Sequence, residues 1–202
     1  MKFLAIDTSG KALTVIAYNG TRAETAFRTD CALRHSELLT DEIDGALSRA
    51  GMTAGDCDFF AAVVGPGSFT GIRIGIATVK GLCTATGKPA LAITSFDVIA
   101  YAEKSEPVLA LVDAGHGFLY TCGYDGEKRV TDSPRYRSRE DAEPLGASYR
   151  FASAESVPVE CERTDAAEGL LRAVFAKAEQ KGEAENLTAL YIRKSSAEEN
   201  RK

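Results

Sequence analysis

Gly65-Pro66-Gly67-Ser68-Phe69-Thr70-Gly71-Ile72-Arg73-Ile74-Gly75 is the stretch of this chain whose residue types and spacing most demand a chemical reason. An apolar run enters a glycine loop, and a helix opens after it. Unpaired amides at such a helix start can hold a phosphate. The same pattern supports a packing reading, because Gly67, Gly71 and Gly75 recur every four residues along one helix side. Glycine inside a helix costs up to about 1 kcal/mol, so a close approach by another element would justify it. Ser68 or Thr70 is placed to cap the helix.

Asp7 and Asp113 each end an apolar stretch and precede a turn of small or polar residues. Carboxylates at that position could hold hydrated magnesium while the turn meets phosphates, or each could cap its own turn through an Asx-type bond. For Asp113 the local role is favoured, since Gly115-His116-Gly117 lacks a hydroxyl. The residues with nucleotide-binding chemistry are therefore Asp7, Thr8, Ser9, Gly65, Gly67 and Ser68. Gly81 to Pro89 only resembles a Walker loop: it has a residue too many between its glycines and a proline in place of the magnesium-binding hydroxyl. No Gly-x-Ser-x-Gly elbow exists, which argues against a serine nucleophile. Cys31 and His35 can share a helix face, but two ligands do not make a metal site.

The elements that must position these groups follow from periodicity. Strands are predicted over 2–6, 12–18, 23–29, 59–64, 90–93 and 107–112, and helices over 35–50, 69–86, 95–103 and 165–181. Residues 125–148 read as an exposed loop region, 188–193 as a last strand, and 194–202 as a loose polar tail. Shifting the chain by 106 residues lays Asp7 on Asp113 and Ala12–Tyr18 on 118–124, and Tyr18-Asn19-Gly20 then meets Tyr124-Asp125-Gly126. That repeat is long enough to mean a duplicated α/β unit rather than a solenoid.

Composition sets outer limits. The chain has 202 residues and a formal charge of −5, so its overall field does not favour nucleic acid. No apolar run is long enough for a membrane span, and Asp7 interrupts the N-terminal apolar stretch, which reads as a strand rather than a signal peptide. Five cysteines without a Cys-x-x-Cys pair fit a reducing compartment, so a cytoplasmic location is expected.

Leu4-Ala5-Ile6-Asp7-Thr8, His35 at the head of its helix, the Gly65–Gly75 signature and Tyr191-Ile192-Arg193 together resemble the TsaB (YeaZ) family of tRNA threonylcarbamoyladenosine (t6A) biosynthesis. The resemblance is specific over about residues 1–125. It implies a duplicated actin-like, Hsp70-like fold (ASKHA, RNase H-like), with two subdomains whose mixed sheets are flanked by helices. Residues 1–104 would form the N-terminal subdomain with the docking helices. Residues 105–202 would form a degenerate second one, its helix over 165–181 packing back on the first.

The catalytic sister, TsaD, binds a metal with histidines four apart on the equivalent helix. Here His35 is followed by Leu39. The resemblance thus implies a non-catalytic scaffold without a metal or cofactor of its own, docking TsaD and supporting TsaE. ATP or ADP with magnesium would enter in the assembled complex, and tRNA would be reached only indirectly. It also implies pairing through the first two helices, and a homodimer through the same surface when TsaD is absent. Their apolar positions, Leu38, Leu39, Ile43, Ala46 and Leu47 on one and Ile72, Ile76 and Val79 on the other, are the candidate interface. The alternative is an enzyme of the same fold, an ATPase, kinase or peptidase-like protein with its own nucleotide cleft.

Overall fold

A computed structural model describes residues 1–31, 34–103, 106–180 and 186–193. The expected boundary at 104/105, the last residue of the helix expected over 165–181 and the tail from 194 lie outside these residues.

Strands β1 (Phe3–Asp7), β2 (Leu13–Tyr18), β3 (Ala23–Arg28), β4 (Phe59–Val63) and β5 (Ala90–Ile93) form one sheet in the order β3-β2-β1-β4-β5. The first three are antiparallel neighbours, and β4 and β5 run parallel to β1. The second sheet contains β6 (Val108–Gly115), β7 (Phe118–Tyr124), β8 (Val130–Arg137), β9 (Arg150–Ser153) and β10 (Glu162–Arg163). Its order, β8-β7-β6-β9-β10, repeats the first sheet strand for strand, with the same directions. The duplicated mixed α/β architecture expected from the sequence is thus present.

The two halves differ in their crossovers. The first uses long helices, α1 (His35–Ala50) between β3 and β4 and α2 (Phe69–Thr86) between β4 and β5. The second has only α4 (Arg139–Ala142) and a 3-10 turn between β8 and β9. Each long helix carries its own boundary signals. Gly51 and Gly87 end α1 and α2 in left-handed conformations, and the Ser68 hydroxyl accepts from the Gly71 amide at the start of α2. Helix α3 (Ser95–Ala102) opens with a Thr94–Asp97 capping box. At the start of α5 (Ala166–Gln180), Asp165 Oδ1 accepts from the amides of Ala167 and Glu168.

Period-two burial on β1 explains the layers. Leu4 and Ile6 face α1 and α2, whereas Phe3 and Ala5 face α3 and α5. Helix α3 is shared by both halves: Val98 packs on the first sheet, while Phe96, Ile99 and Ala100 pack on the second. Helix α5 brings Leu170, Ala173 and Val174 onto the first sheet, and Gly169 crosses α3 so closely that an added carbon would strike the Val98 carbonyl.

Three local expectations need correction. Residues 125–148 are not a loop region, since β8 and α4 lie there. Residues 188–193 do not form a strand; the Leu190 amide donates one bond to the Val64 carbonyl at 2.8 Å, and no ladder follows. The repeat also slips by one residue. Asp7 lies opposite Thr14, but Asp113 lies opposite Leu119, because β6 and β7 continue to a tight turn at His116 and Gly117.

Candidate functional site

The β1–β2 turn and the start of α2 meet edge to edge. Thr8 Oγ1 donates to the Gly71 carbonyl at 2.7 Å, and the Ser68 amide donates to the Ser9 carbonyl at 2.7 Å. Ser95, at the head of α3, locks the same corner: its amide donates to the Gly65 carbonyl at 2.9 Å and its hydroxyl to the Pro66 carbonyl at 2.7 Å. Ser9 Oγ lies 3.1 Å from Ser95 Oγ. A side chain at Gly67 or Gly71 would collide with the Ser9 or Thr8 carbonyl, and one at Gly75 would come 2.6 Å from Thr8 Oγ1. The glycine stripe exists because a turn of the chain's own backbone occupies that side of the helix.

A cavity of about 240 Å³ lies beside this corner, between the two halves. Asp7, Asp113 and Glu155 line it, together with Lys11. Asp7 Oδ1 accepts from the Ser9 amide at 2.8 Å and from Ser9 Oγ at 2.7 Å, and Asp113 Oδ1 accepts from the Gly115 amide at 2.9 Å. Both carboxylates therefore cap their own turns. Glu155, from the loop after β9, reaches across and accepts the Lys11 amide, filling the space over Gly10.

This arrangement does not fit a nucleotide. Asp7, Thr8, Ser9, Gly65, Gly67 and Ser68 are brought together as the sequence suggested, but as a packed joint. Their hydroxyls and the Ser68 and Gly71 amides bond to neighbouring groups of the chain, and a carboxylate occupies the anion position at the Lys11 amide. Without a bridging cation, three carboxylates around one small cavity would also repel phosphates.

Burial raises the pKa of Asp7 above its ordinary value, opposed by the two Ser9 bonds and reinforced by nearby Glu155. The unfolded carboxyl ionises near 3.8, the folded one higher. Asp7 therefore subtracts from stability as pH rises from 3.8 through its folded value, and subtracts nothing below that window. Asp7→Asn keeps the acceptor for both Ser9 bonds and removes the titration. The variant should melt above the parent at about pH 7, with the gap closing as pH falls toward 4. A pH-independent gap in thermal melts would disprove this.

His35 is 2% exposed, and its Nε2 lies 3.2 Å from the Ala12 carbonyl, which it meets as a donor. The imidazole ties α1 to the β1–β2 turn. Leu39, one helical turn on, is 3% exposed and belongs to the core. The Cys31 thiol donates to the Thr29 carbonyl at 3.3 Å.

The candidate interface requires the largest correction. Leu39, Ile43, Ala46, Leu47, Ile72, Ile76 and Val79 are all buried in the chain's own core between α1, α2 and the first sheet. An amphipathic helix needs its apolar face for its own sheet first. Leu38 alone among the eight is half-buried. The outward face of α2 instead carries Ala77, Gly81 and Ala85, flanked by half-buried Ile74, Thr78 and Leu82. Sequence reasoning missed Glu155, whose neighbours give no local signal, and Ser95, which the Thr94–Asp97 capping box could have exposed.

Comparison with known proteins places this architecture. Residues 29–135 match the family described as TsaD, tRNA N6-adenosine threonylcarbamoyltransferase. The tRNA threonylcarbamoyladenosine biosynthesis protein TsaB of Escherichia coli is 30% identical over 132 residues, which is 63% of this chain and 57% of that protein. TsaB of Haemophilus influenzae is 32% identical over 140 residues, covering 65% and 57%. The chain thus matches little more than half the length of these relatives. The solved structure of YeaZ from Pseudomonas aeruginosa superposes with a TM-score of 0.77 at 32% identity, covering 94% of this chain and 99% of that one. A family match over more than half of the sequence, joined to a solved relative that follows both halves of the fold, means that the chain belongs to the TsaB/YeaZ family.

Proposed function

We propose that this chain is a non-catalytic subunit in the biosynthesis of threonylcarbamoyladenosine at adenosine 37 of tRNA, working in the cytoplasm. It docks a TsaD-type transferase and supports a TsaE-type ATPase. The observation that carries the reading is the state of α1. Where the resemblance to TsaD calls for two metal-binding histidines, His35 is hydrogen-bonded to the Ala12 carbonyl and Leu39 is packed in the core. The occupied corner at Ser9, Ser68 and Glu155 agrees, so ATP or ADP with magnesium belongs to the partners in this reading. The names of the E. coli and H. influenzae relatives supply the pathway. Among the described residues, no helix is long and apolar enough to cross a membrane.

The docking surface in this proposal is the outer face of α1 and α2, centred on Ala77 and Gly81. It is also the surface through which the chain pairs with itself when TsaD is absent. Ala77 is exposed, so Ala77→Arg should fold normally yet weaken co-elution with a TsaD relative about tenfold or more. Leu39→Glu and Ile43→Glu should instead unfold the chain, because they bury a carboxylate in its core. Unchanged co-elution of well-folded Ala77→Arg would move the surface elsewhere. The function itself is tested by a t6A modification assay with TsaD and TsaE relatives, with and without this chain. Modification should require it. ATP turnover by the purified chain alone, abolished by Asp7→Asn, would favour the enzyme alternative.

A further inference from the structure

Asp7, Thr14 and Phe27 stand side by side across β1, β2 and β3, because Asp7 is paired with Thr14 and Thr14 with Phe27 in the two ladders. Residues paired in this way point to the same face of a sheet. All three line the cavity of about 240 Å³ beside the joint. The row offers a carboxylate, a hydroxyl and a ring, and the Phe27 ring is 47% exposed. Val98 and Ile99 of α3 and Leu111 of β6 add apolar wall.

The polar groups of this cavity lack partners. Thr14 is 2% exposed, yet its hydroxyl makes no hydrogen bond among the described residues. Buried hydroxyls are otherwise almost always bonded. Asp7 spends Oδ1 on both Ser9 bonds, and its Oδ2 accepts none. Among the described residues, neither Asp7 nor Asp113 nor Glu155 stands in an ion pair, and Lys11, at the same cavity, pairs with none of them. Burial and the nearby Glu155 already disfavour the ionised form of Asp7, a cost that a cation beside it would remove.

Unpaired carboxylates, a free hydroxyl oxygen and apolar walls suit a cation with a carbon body. A compact metal ion fits less well, since no three acidic, histidine or cysteine groups among the described residues converge to hold one. We propose that this cavity binds a short aliphatic diamine. One ammonium is held by Asp7 and Thr14 of the first half, the other by Asp113 and Glu155 of the second. The methylenes lie along Val98, Ile99 and Leu111, and the Phe27 ring adds cation–π attraction. The cavity has room for several non-hydrogen atoms, since one water takes about 30 Å³ in the liquid. The charge that turns phosphates away is the charge that draws the amine. This inference goes beyond the docking reading and needs this chain alone, so either can fail without the other.

The test is calorimetric titration of diaminobutane into the purified chain at about 20 mM salt. Saturable binding is expected, with butanediol, the uncharged counterpart, at least about tenfold weaker. Thr14→Val and Asp113→Asn should each weaken the diamine about tenfold. Glu37→Gln, in an exposed ion pair elsewhere, should leave it unchanged. Thr14→Val should also melt no lower than the parent, because it removes a buried hydroxyl that has no partner. Loss of binding is thereby separated from loss of fold, and Asp113 is exposed and tolerates the amide. Any of four results overturns the proposal: no saturation at about 10 mM diamine, butanediol binding as tightly, unchanged binding in either cavity variant, or displacement of the diamine by an equal concentration of magnesium.

Discussion

Gly71→Ala is expected to destabilise the protein by about 3 kcal/mol, lowering the melting temperature by roughly 6–12 °C for a chain of this size. The added carbon would sit against the Thr8 carbonyl oxygen, a backbone atom that cannot rotate away. Helix α2 would have to retreat from the β1–β2 turn. That retreat strains the Thr8–Gly71 bond of 2.7 Å and the Ser68–Ser9 bond of 2.7 Å, each contributing about 1 kcal/mol. Alanine's better helix propensity returns at most about 1 kcal/mol. Gly81→Ala is the control. Nothing lies within 4 Å of the carbon it adds, so only the propensity gain remains, about 0.5–1 kcal/mol of stabilisation. Urea unfolding of the two variants should therefore move in opposite directions. Equal shifts would mean that the glycine stripe is not held by the turn.

That contrast separates what local pattern reveals from what it hides. The apolar spacing and the terminal glycines fixed α1 and α2 to the residue, because capping and periodicity are local properties. The Gly67–Gly71–Gly75 spacing announced that something approaches closely. The identity of that neighbour, the Thr8–Ser9 turn, depends on contacts between residues about 60 apart in the chain. The same limit explains the interface residues. Leu39, Ile43 and Val79 form an apolar stripe, and a stripe looks alike whether it meets its own sheet or another protein. The repeat was legible in the strands and turn residues, yet the one-residue slip at Asp113 was not. It arises from a tight His116-Gly117 turn that lets β6 and β7 run on. Glu155 had no signal at all, since it acts through a single long-range bond to Lys11. Arg73 and Tyr191 were visible as motif members, but their meeting across 118 residues was not.

Asp97→Ala should cost about 3–5 kcal/mol, because it breaks a buried charge network. The carboxylate joins three elements. One oxygen accepts from the Thr94 amide at 3.0 Å and the Thr94 hydroxyl at 2.7 Å, capping α3. The other accepts from the Tyr124 hydroxyl of β7 at 3.1 Å and lies 3.1 Å from Lys177 Nζ of α5. Its side chain is 6% exposed, so water cannot replace these partners. Burial pushes the Tyr124 phenol far above its ordinary pKa, which keeps it a donor in need of an acceptor. Since α3 is the layer between the two sheets, losing its cap loosens the packing of both halves at once. Lys177→Met should cost less, about 1–2 kcal/mol, because the carboxylate keeps its three hydrogen bonds and Lys177 is 22% exposed. The double variant should lose less than the sum of the two, since Asp97→Ala alone strands a partly buried ammonium that Lys177→Met removes. Strict additivity in urea midpoints would show that Lys177 and Asp97 act independently, and that the cap on α3 alone accounts for the loss.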